Sequence, residues 1–273
     1  MRIGSKEFVI GERTYIMGIL NVTPDSFSDG GKHNQFEQAI GHVCRMIEEG
    51  ADIIDVGGES TRPNYTMISD EEEIARVVPV IEAIRNNWDI PISIDTYKSK
   101  VADAACKAGA DLVNDIWGLK YDPDMAQVVN SNDAAVCIMH NRKDKDYSNF
   151  LADFKADLME SVDIAMKAGI SKDKIMLDPG VGFAKTYEMN LGIINHLKLM
   201  HELGYPILLG TSRKSVIGLT LNETVDNRLE GTLATSVMAV MKGCNFLRVH
   251  DVKENVRAVR MTEAILKSNI NEL

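Results

Sequence analysis

Asp95, Asn114 and Asp178, together with Lys214, each stand at the end of a short apolar run. A carboxylate accepts hydrogen bonds, a carboxamide accepts and donates, and an ammonium only donates. Gathered in one plane, these groups suit a flat heterocycle with an amino-pyrimidinone edge. A second set is cationic: Arg62, Arg248 and His250, with Asn21 as a neutral oxygen donor. Such cations bind anions, phosphorylated ones in particular. A carboxamide oxygen suits Mg²⁺, which takes few protein oxygens and completes its octahedron with waters and substrate phosphates. The expectation is a pocket with a ring-binding half and an anion-binding half. No HExxH pattern and no Cys/His ligand spacing is present, which argues against zinc.

Two stretches carry more chemistry than a turn requires. The first is Asn21-Val22-Thr23-Pro24-Asp25-Ser26-Phe27-Ser28-Asp29-Gly30-Gly31, which places two carboxylates, three hydroxyls and an aromatic ring before a Gly-Gly hinge. Strand-to-helix connections usually take about two to six residues. The second runs from Gly57 to Tyr65 and holds Arg62 beside the stiffening Pro63. Both read as mobile flaps over a pocket. Taken singly, each polar residue has an ordinary alternative as a turn former or helix cap. A polar group at nearly every strand end is better explained by one shared site.

The elements that must position these residues follow a repeat. Strand-like runs lie at Tyr15 to Val22, Asp52 to Gly57, Pro91 to Thr96, Leu112 to Ile116, Ala135 to His140, Ile175 to Asp178, Pro206 to Thr211 and Phe246 to His250. Between them apolar residues recur at the helical period, as in Phe36, Ile40, Val43 and Ile47, or Leu151, Phe154, Leu158, Val162 and Ala165. The segment through Ile74, Val77, Val78, Ile81 and Ile84 opens with the capping box Ser69-x-x-Glu72, and Pro79 within it should kink it or delay its start. Eight strand-then-helix units predict a single α/β domain over residues 1–273, a (β/α)8 TIM barrel, which typically needs about 250 residues. Phe8-Val9-Ile10 and Thr14-Tyr15-Ile16, either side of Gly11-Glu12-Arg13, suggest a short β-hairpin covering its floor. An open doubly wound sheet is the alternative, but Gly180-Val181-Gly182 lacks the third glycine of a dinucleotide turn and follows the sixth strand. In a barrel the site lies at the carboxyl ends of the strands, where Asn21, Asp55, Asp95, Asn114, His140, Asp178, Ser212-Arg213-Lys214, Arg248 and His250 fall.

The 273 residues carry a formal net charge of -10, which argues against nucleic-acid and anionic-membrane partners. Cys44, Cys106, Cys137 and Cys244 form no C-x-x-C pair and read as small apolar residues in a reducing compartment. With no signal-type or membrane-length apolar stretch, a cytoplasmic location is expected.

The motifs Asn21 to Gly31, Asp55-Val-Gly-Gly-Glu-Ser-Thr-Arg-Pro63, Ser93-Ile-Asp-Thr96, Asn114-Asp115, Met139-His140, Asp178-Pro-Gly-Val-Gly-Phe183, Gly210-Thr-Ser-Arg-Lys214 and Arg248-Val-His250 resemble, in order, those of the dihydropteroate synthase family. The resemblance implies a Mg²⁺-dependent transferase of folate synthesis, joining p-aminobenzoate to 6-hydroxymethyl-7,8-dihydropterin diphosphate with release of pyrophosphate. It implies that Asp95, Asn114, Asp178 and Lys214 bind the pterin, and that Asn21, Arg62, Arg248 and His250 bind the diphosphate, with Asn21 on the metal. Phe27, Thr61, Arg62, Pro63, Phe183 and Ser215 would shape the p-aminobenzoate site, for which sulfonamides would compete. A homodimer using the outer helices is also implied. Two places depart from the family pattern: His140 is followed by Asn141-Arg142-Lys143 rather than a glycine-containing turn, and Ala184 stands where glycine is common. Three rivals are a corrinoid methyltransferase on the same pterin pocket, an aldolase using Lys214 as a Schiff base, and a non-catalytic pterin-binding protein. The cationic set argues against the first and third, and Arg213 beside Lys214 against the second.

Overall fold

The computed structural model describes residues 1–22, 32–59 and 67–269, with the side chains of 32–34 outside that description. Two short antiparallel strands, β1 (Arg2–Ile3) and β2 (Lys6–Glu7), open the chain. Eight parallel strands follow: β3 (Tyr15–Asn21), β4 (Ile53–Gly57), β5 (Ile92–Asp95), β6 (Leu112–Asp115), β7 (Ala135–Met139), β8 (Ile175–Asp178), β9 (Leu208–Leu209) and β10 (Phe246–Val249). Neighbours in sequence pair from β3 through β8, and β10 lies between β3 and β9. A parallel bridge from Leu177 to Ile207 brings β8 against β9 and closes the ring. The fold is the (β/α)8 barrel that the eight-fold repeat predicts, and the open sheet is excluded.

The helices are α1 (Lys32–Glu49), α2 (Asp70–Asn87), α3 (Ser99–Ala108), α4 (Met125–Ser131), α5 (Phe150–Lys167), α6 (Tyr187–Asn195), α7 (Ser215–Leu221), α8 (Leu229–Met241) and α9 (Val252–Lys267). α2 starts on time at Asp70, capped by Ser69, whose hydroxyl accepts from the Glu72 backbone N–H at 3.2 Å, and it continues through Pro79. Half of the expected capping box is therefore made. The Glu72 carboxylate turns instead to Arg76 one helical turn on. The hairpin lies earlier than the Gly11-Glu12-Arg13 turn suggests, because Tyr15 onward is already committed to the barrel.

Because side chains alternate along a strand, each barrel strand serves two cores. Ile16, Leu20, Ile54, Val56, Ile92, Ile94, Val113, Val136, Ile138, Leu177 and Leu247 face outward and pack with the helices. Met17, Ile53, Leu112, Ala135, Cys137, Met176, Leu208 and Phe246 face inward and fill the lower barrel, where Ile3 and Phe8 join them. Phe8, Tyr15 and Phe246 meet there with ring centroids 4.8 to 5.5 Å apart. Moving up four strands, the inward positions change from apolar to polar: Ile53 gives way to Asp55, Leu112 to Asn114, Met176 to Asp178, and Phe246 to Arg248, while on β5 Ser93 and Asp95 are both polar and on β7 Met139 keeps the position apolar. The barrel is dry at its floor and ionisable at its mouth.

Candidate active site

The inward side chains of the upper layer converge across strands that are neighbours by register. Asp55 on β4 lies opposite Ser93, and Asp95 on β5 opposite Asn114 on β6. From the far side of the ring, Arg248 donates through Nε to Asp55 Oδ2 at 2.6 Å and through Nη2 to Asp95 Oδ2 at 2.5 Å. Arg248 is therefore paired with Asp95, one of the carboxylates expected to bind a ring, and with Asp55. Its Nη1 makes no hydrogen bond among the described residues. Two carboxylates against one guanidinium leave acceptors over: Asp55 Oδ1, Asp95 Oδ1 and Ser93 Oγ are buried without a hydrogen-bond partner. Such groups are costly unless a ligand or water supplies the missing donor. The Asn114 carboxamide likewise has no partner among the described residues. Burial, reinforced by Asp55, pushes the Asp95 carboxyl above the usual range, and Arg248 opposes the shift.

Asp178, at the end of β8, accepts from the Gly180 N–H at 2.6 Å, and burial raises its pKa against the pull of Lys214. Lys214 sits at the N-cap of α7 and donates to the Val181 carbonyl at 2.5 Å, with its ammonium 5.0 Å from the centre of the Phe183 ring. Desolvation lowers its pKa to about 8, while Asp178 and Asp95 hold the proton on it. Phe183 joins Tyr97, Ile116, Met139 and Trp117 in a small apolar cluster at the mouth. Ser215 is exposed on the first turn of α7, next to Lys214. His250, after β10, meets Ser212 twice: the Ser212 hydroxyl accepts from its backbone N–H at 3.2 Å and lies 3.0 Å from its Nδ1. Arg213 is held away from the pocket by a bidentate pair with Asp251, at 3.0 and 2.5 Å. Asn21 is half-buried at the end of β3, opposite Gly57.

The structure thus gathers Asp95, Asn114, Asp178, Lys214 and Arg248 at one mouth, with Asn21, Phe183, Ser215 and His250 at strand ends and loops of the same face. Phe27, Thr61, Arg62 and Pro63, with Asp29 and the rest of the two expected flaps over residues 23–31 and 60–66, lie outside the described residues. Asp55 takes a place that sequence spacing did not assign it, as the second carboxylate on Arg248. Two further clusters support the loops. At the base of the second flap, Glu59 accepts from Tyr97 Oη at 2.6 Å, Lys98 Nζ at 2.7 Å and the Ile68 N–H at 3.0 Å, and Lys98 also donates to Glu73 at 2.8 Å. Below the Asp178 loop, His140 joins Asp157, Arg142 and Lys185.

Both departures from the family pattern have a structural counterpart. Where a glycine-containing turn would follow His140, Arg142 organises the chain: it pairs with Asp157, donates to the Asp146 carbonyl at 2.8 Å and lies 4.4 Å from the Tyr147 ring centre. Ala184 has φ of +45°, in the left-handed region that glycine adopts without strain.

The pterin-binding enzyme family model matches residues 17–250. A dihydropteroate synthase of Clostridium beijerinckii is 61% identical over 268 residues, covering 98% of this chain and 100% of that protein. This chain belongs to the dihydropteroate synthase family. A Clostridium difficile dihydropteroate synthase structure, determined in the presence of pteroic acid, superposes with a TM-score of 0.93 at 52% identity, covering 96% of this chain and 100% of that one. A Xanthomonas albilineans dihydropteroate synthase with 4-aminobenzoic acid superposes with a TM-score of 0.90 at 42% identity, covering 95% of each chain. Dihydropteroate synthases are transferases, which sets aside the aldolase and binding-protein readings.

Proposed function

We propose that the barrel mouth joins p-aminobenzoate to 6-hydroxymethyl-7,8-dihydropterin diphosphate, giving 7,8-dihydropteroate and pyrophosphate in folate biosynthesis. The observation that carries this reading is the set of unsatisfied buried acceptors around Arg248, next to Asn114, Asp178 and Lys214, in a chain of the dihydropteroate synthase family. The amino and ring N–H groups of a pterin supply the donors that Asp95, Asn114 and Asp178 lack, and Lys214 offers one donor to its carbonyl or ring nitrogen. Desolvated carboxylates bind such donors strongly because water does not compete.

The anion half is assigned to His250, Arg62, Asn21 and the remaining edge of Arg248. Asn21 fits a magnesium ion: its carboxamide is half-buried, faces Gly57 and has no hydrogen bond among the described residues. No group of three or more His, Cys, Asp or Glu suited to a metal occurs among the described residues, and Asn21 would offer the ion a protein oxygen beside those of the diphosphate. When bound it would neutralise diphosphate charge.

The carbon–oxygen bond at the pterin methylene breaks first, and the electron pair leaves with the diphosphate. His250, Arg62 and Arg248 stabilise the charge that develops there. The pterin ring delocalises the resulting cation, held in place by Asp95, Asn114 and Asp178. The neutral arylamine nitrogen then attacks the methylene and releases its proton, with no strong base needed. Phe183, Ser215, Phe27, Thr61, Arg62 and Pro63 are assigned to p-aminobenzoate, and the two flaps to excluding water from the cation.

Leu219, Leu221, Met241, Met261 and Ile265 are exposed on α7, α8 and α9, Leu219 at 68%, and support a homodimer through these outer helices. The cytoplasm is the proposed location, where the four cysteines, all free thiols, stay reduced. Pyrophosphate release from the dihydropterin diphosphate with Mg²⁺, measured with and without p-aminobenzoate, tests the reaction. Release that depends on p-aminobenzoate and yields dihydropteroate is expected; tight pterin binding without release would refute it.

A further inference from the structure

Lys185 is a buried cation that the pocket chemistry leaves without a task, only 4% exposed. Its ammonium carries three N–H donors and no acceptor. Three acceptors meet it: the Gly180 carbonyl at 2.9 Å, the Phe183 carbonyl at 3.0 Å and His140 Nδ1 at 2.9 Å. Because the ammonium only donates, Nδ1 is the unprotonated nitrogen of His140. Nε2 therefore carries the proton and donates to Asp157 Oδ2 at 3.0 Å. Asp157 in turn accepts from Arg142 Nε at 2.5 Å and Nη2 at 3.2 Å. A continuous polar relay thus runs from α5, through the end of β7, to the turn after β8.

That turn is packed too closely to be placed by backbone sterics alone. Gly180 has φ of +66°, and a Cβ there would lie 1.9 Å from the His140 carbonyl oxygen. Its other polar groups are anchored elsewhere: Gly182 N–H donates to Asn190 Oδ1 at 2.7 Å, and the Ala184 carbonyl accepts from Tyr147 Oη at 2.8 Å. The Phe183 carbonyl has no donor other than Lys185 among the described residues. Phe183 is also the residue whose ring faces Lys214 and the mouth cluster. Burying an ammonium here is unfavourable, and it lowers the Lys185 pKa to about 7. A methionine would fill the same space without that penalty, so the donors themselves must matter.

We propose that Lys185 is a positioning residue for the arylamine substrate: its three hydrogen bonds clamp the Gly180–Phe183 turn against His140, and thereby set the Phe183 ring at the p-aminobenzoate side of the mouth. The proposal rests on the assignment of Phe183 to that substrate. Asp178 and Lys214 also bond to this turn, through the Gly180 N–H and the Val181 carbonyl, but their own backbones belong to β8 and the N-cap of α7, so the pterin side should loosen less than Phe183, whose backbone lies in the turn.

The test is Lys185→Met, which keeps the stem volume beside the Phe154 ring and removes every donor. Kinetics with both substrates, a pterin diphosphate Kd and amide hydrogen exchange over residues 179–186 are measured at about pH 6, below the Lys185 pKa of about 7, so that all three donors are present, with Phe183→Ala alongside. The loss of a charge-assisted donor predicts about a tenfold rise in the p-aminobenzoate KM. Pterin Kd should rise clearly less, by about twofold to threefold, because Asp178 and Lys214 touch the turn only through the Gly180 N–H and the Val181 carbonyl, and exchange in the turn should speed up about tenfold. Unchanged exchange and unchanged KM overturn the clamp. Faster exchange with an unchanged KM, together with an unaffected Phe183→Ala enzyme, overturns the assignment of Phe183 instead. Equal losses for both substrates would mean general disruption and also overturn the proposal. If Lys185→Met does not fold, Asp157→Asn takes its place. It weakens the far end of the relay and should raise the p-aminobenzoate KM about twofold to threefold, again selectively; no selective rise would overturn the proposal.

Discussion

Arg248→Met should destabilise the protein strongly, and the loss should shrink in acid. The guanidinium is the hydrogen-bonded partner of two buried carboxylates, at 2.6 Å from Asp55 and 2.5 Å from Asp95, and Asp55 is fully buried. Removing one member of a buried ion pair typically costs about 3 to 5 kcal/mol, because the remaining charge is left uncompensated. Methionine fills the stem volume, so little of that loss would come from a cavity. The Asp95 carboxyl, which burial already raises, would then rise further above its unfolded value of about 3.9, since the group that opposes the shift is gone. The native variant would bind more protons than the unfolded chain between about pH 4 and that raised value, so its stability would fall as pH rises through that window. Urea unfolding at pH 8 should show about 3 to 5 kcal/mol of destabilisation. At pH 5.5 the loss should be clearly smaller, and adding Asp55→Asn should recover part of it at pH 8. A loss below about 1 kcal/mol at pH 8, or one independent of pH, would refute the view of Arg248 as the counter-ion of the mouth.

Asp95→Asn separates binding from stability: Arg248 keeps Asp55, so urea unfolding should change little, while pterin affinity measured calorimetrically should drop about tenfold or more with the loss of a charged acceptor. The Lys214 proton should be visible in a pH series. Burial lowers its pKa to about 8, so above that value the native state sheds a proton that the unfolded lysine keeps until about 10.4. Pterin affinity should therefore decline from about pH 8 upward, and unfolding free energy should gain a positive slope with pH over that interval. Gly180→Ala combines a left-handed backbone with a Cβ 1.9 Å from the His140 carbonyl, and should lower Tm severely or abolish folding. Ala184→Gly relieves about 1 to 2 kcal/mol of left-handed strain and adds about 1 kcal/mol of unfolded-chain entropy, so thermal unfolding should move only slightly, and upward.

What the sequence made legible follows from periodicity. Eight short apolar strands separated by helical repeats favour a barrel over an open sheet, and the period of two along each strand puts Asp55, Asp95, Asn114, Asp178 and Arg248 on the inward face once Ile53, Leu112, Met176 and Phe246 are placed in the core. Contacts across the ring were not legible, because which inward side chains meet depends on closure and not on spacing. Arg248 lies 193 residues from Asp55 and 153 from Asp95, and a strand-end arginine read alone looks like an anion ligand rather than a counter-ion. Asp157 and Arg142 were hidden for a different reason. Each sits in a helix or loop rich in other charges, where an acid or base is usually a solvated surface group. Only the tertiary placement of α5 against the end of β7 turns that pair into the far end of a relay reaching Lys185. The mouth therefore has two electrostatic levels: an upper one of unsatisfied acceptors awaiting a ligand, and a lower one of fully paired charges that fixes the loops. A ligand can settle the upper level without disturbing the lower, which lets a site with strained charges sit on a rigid frame.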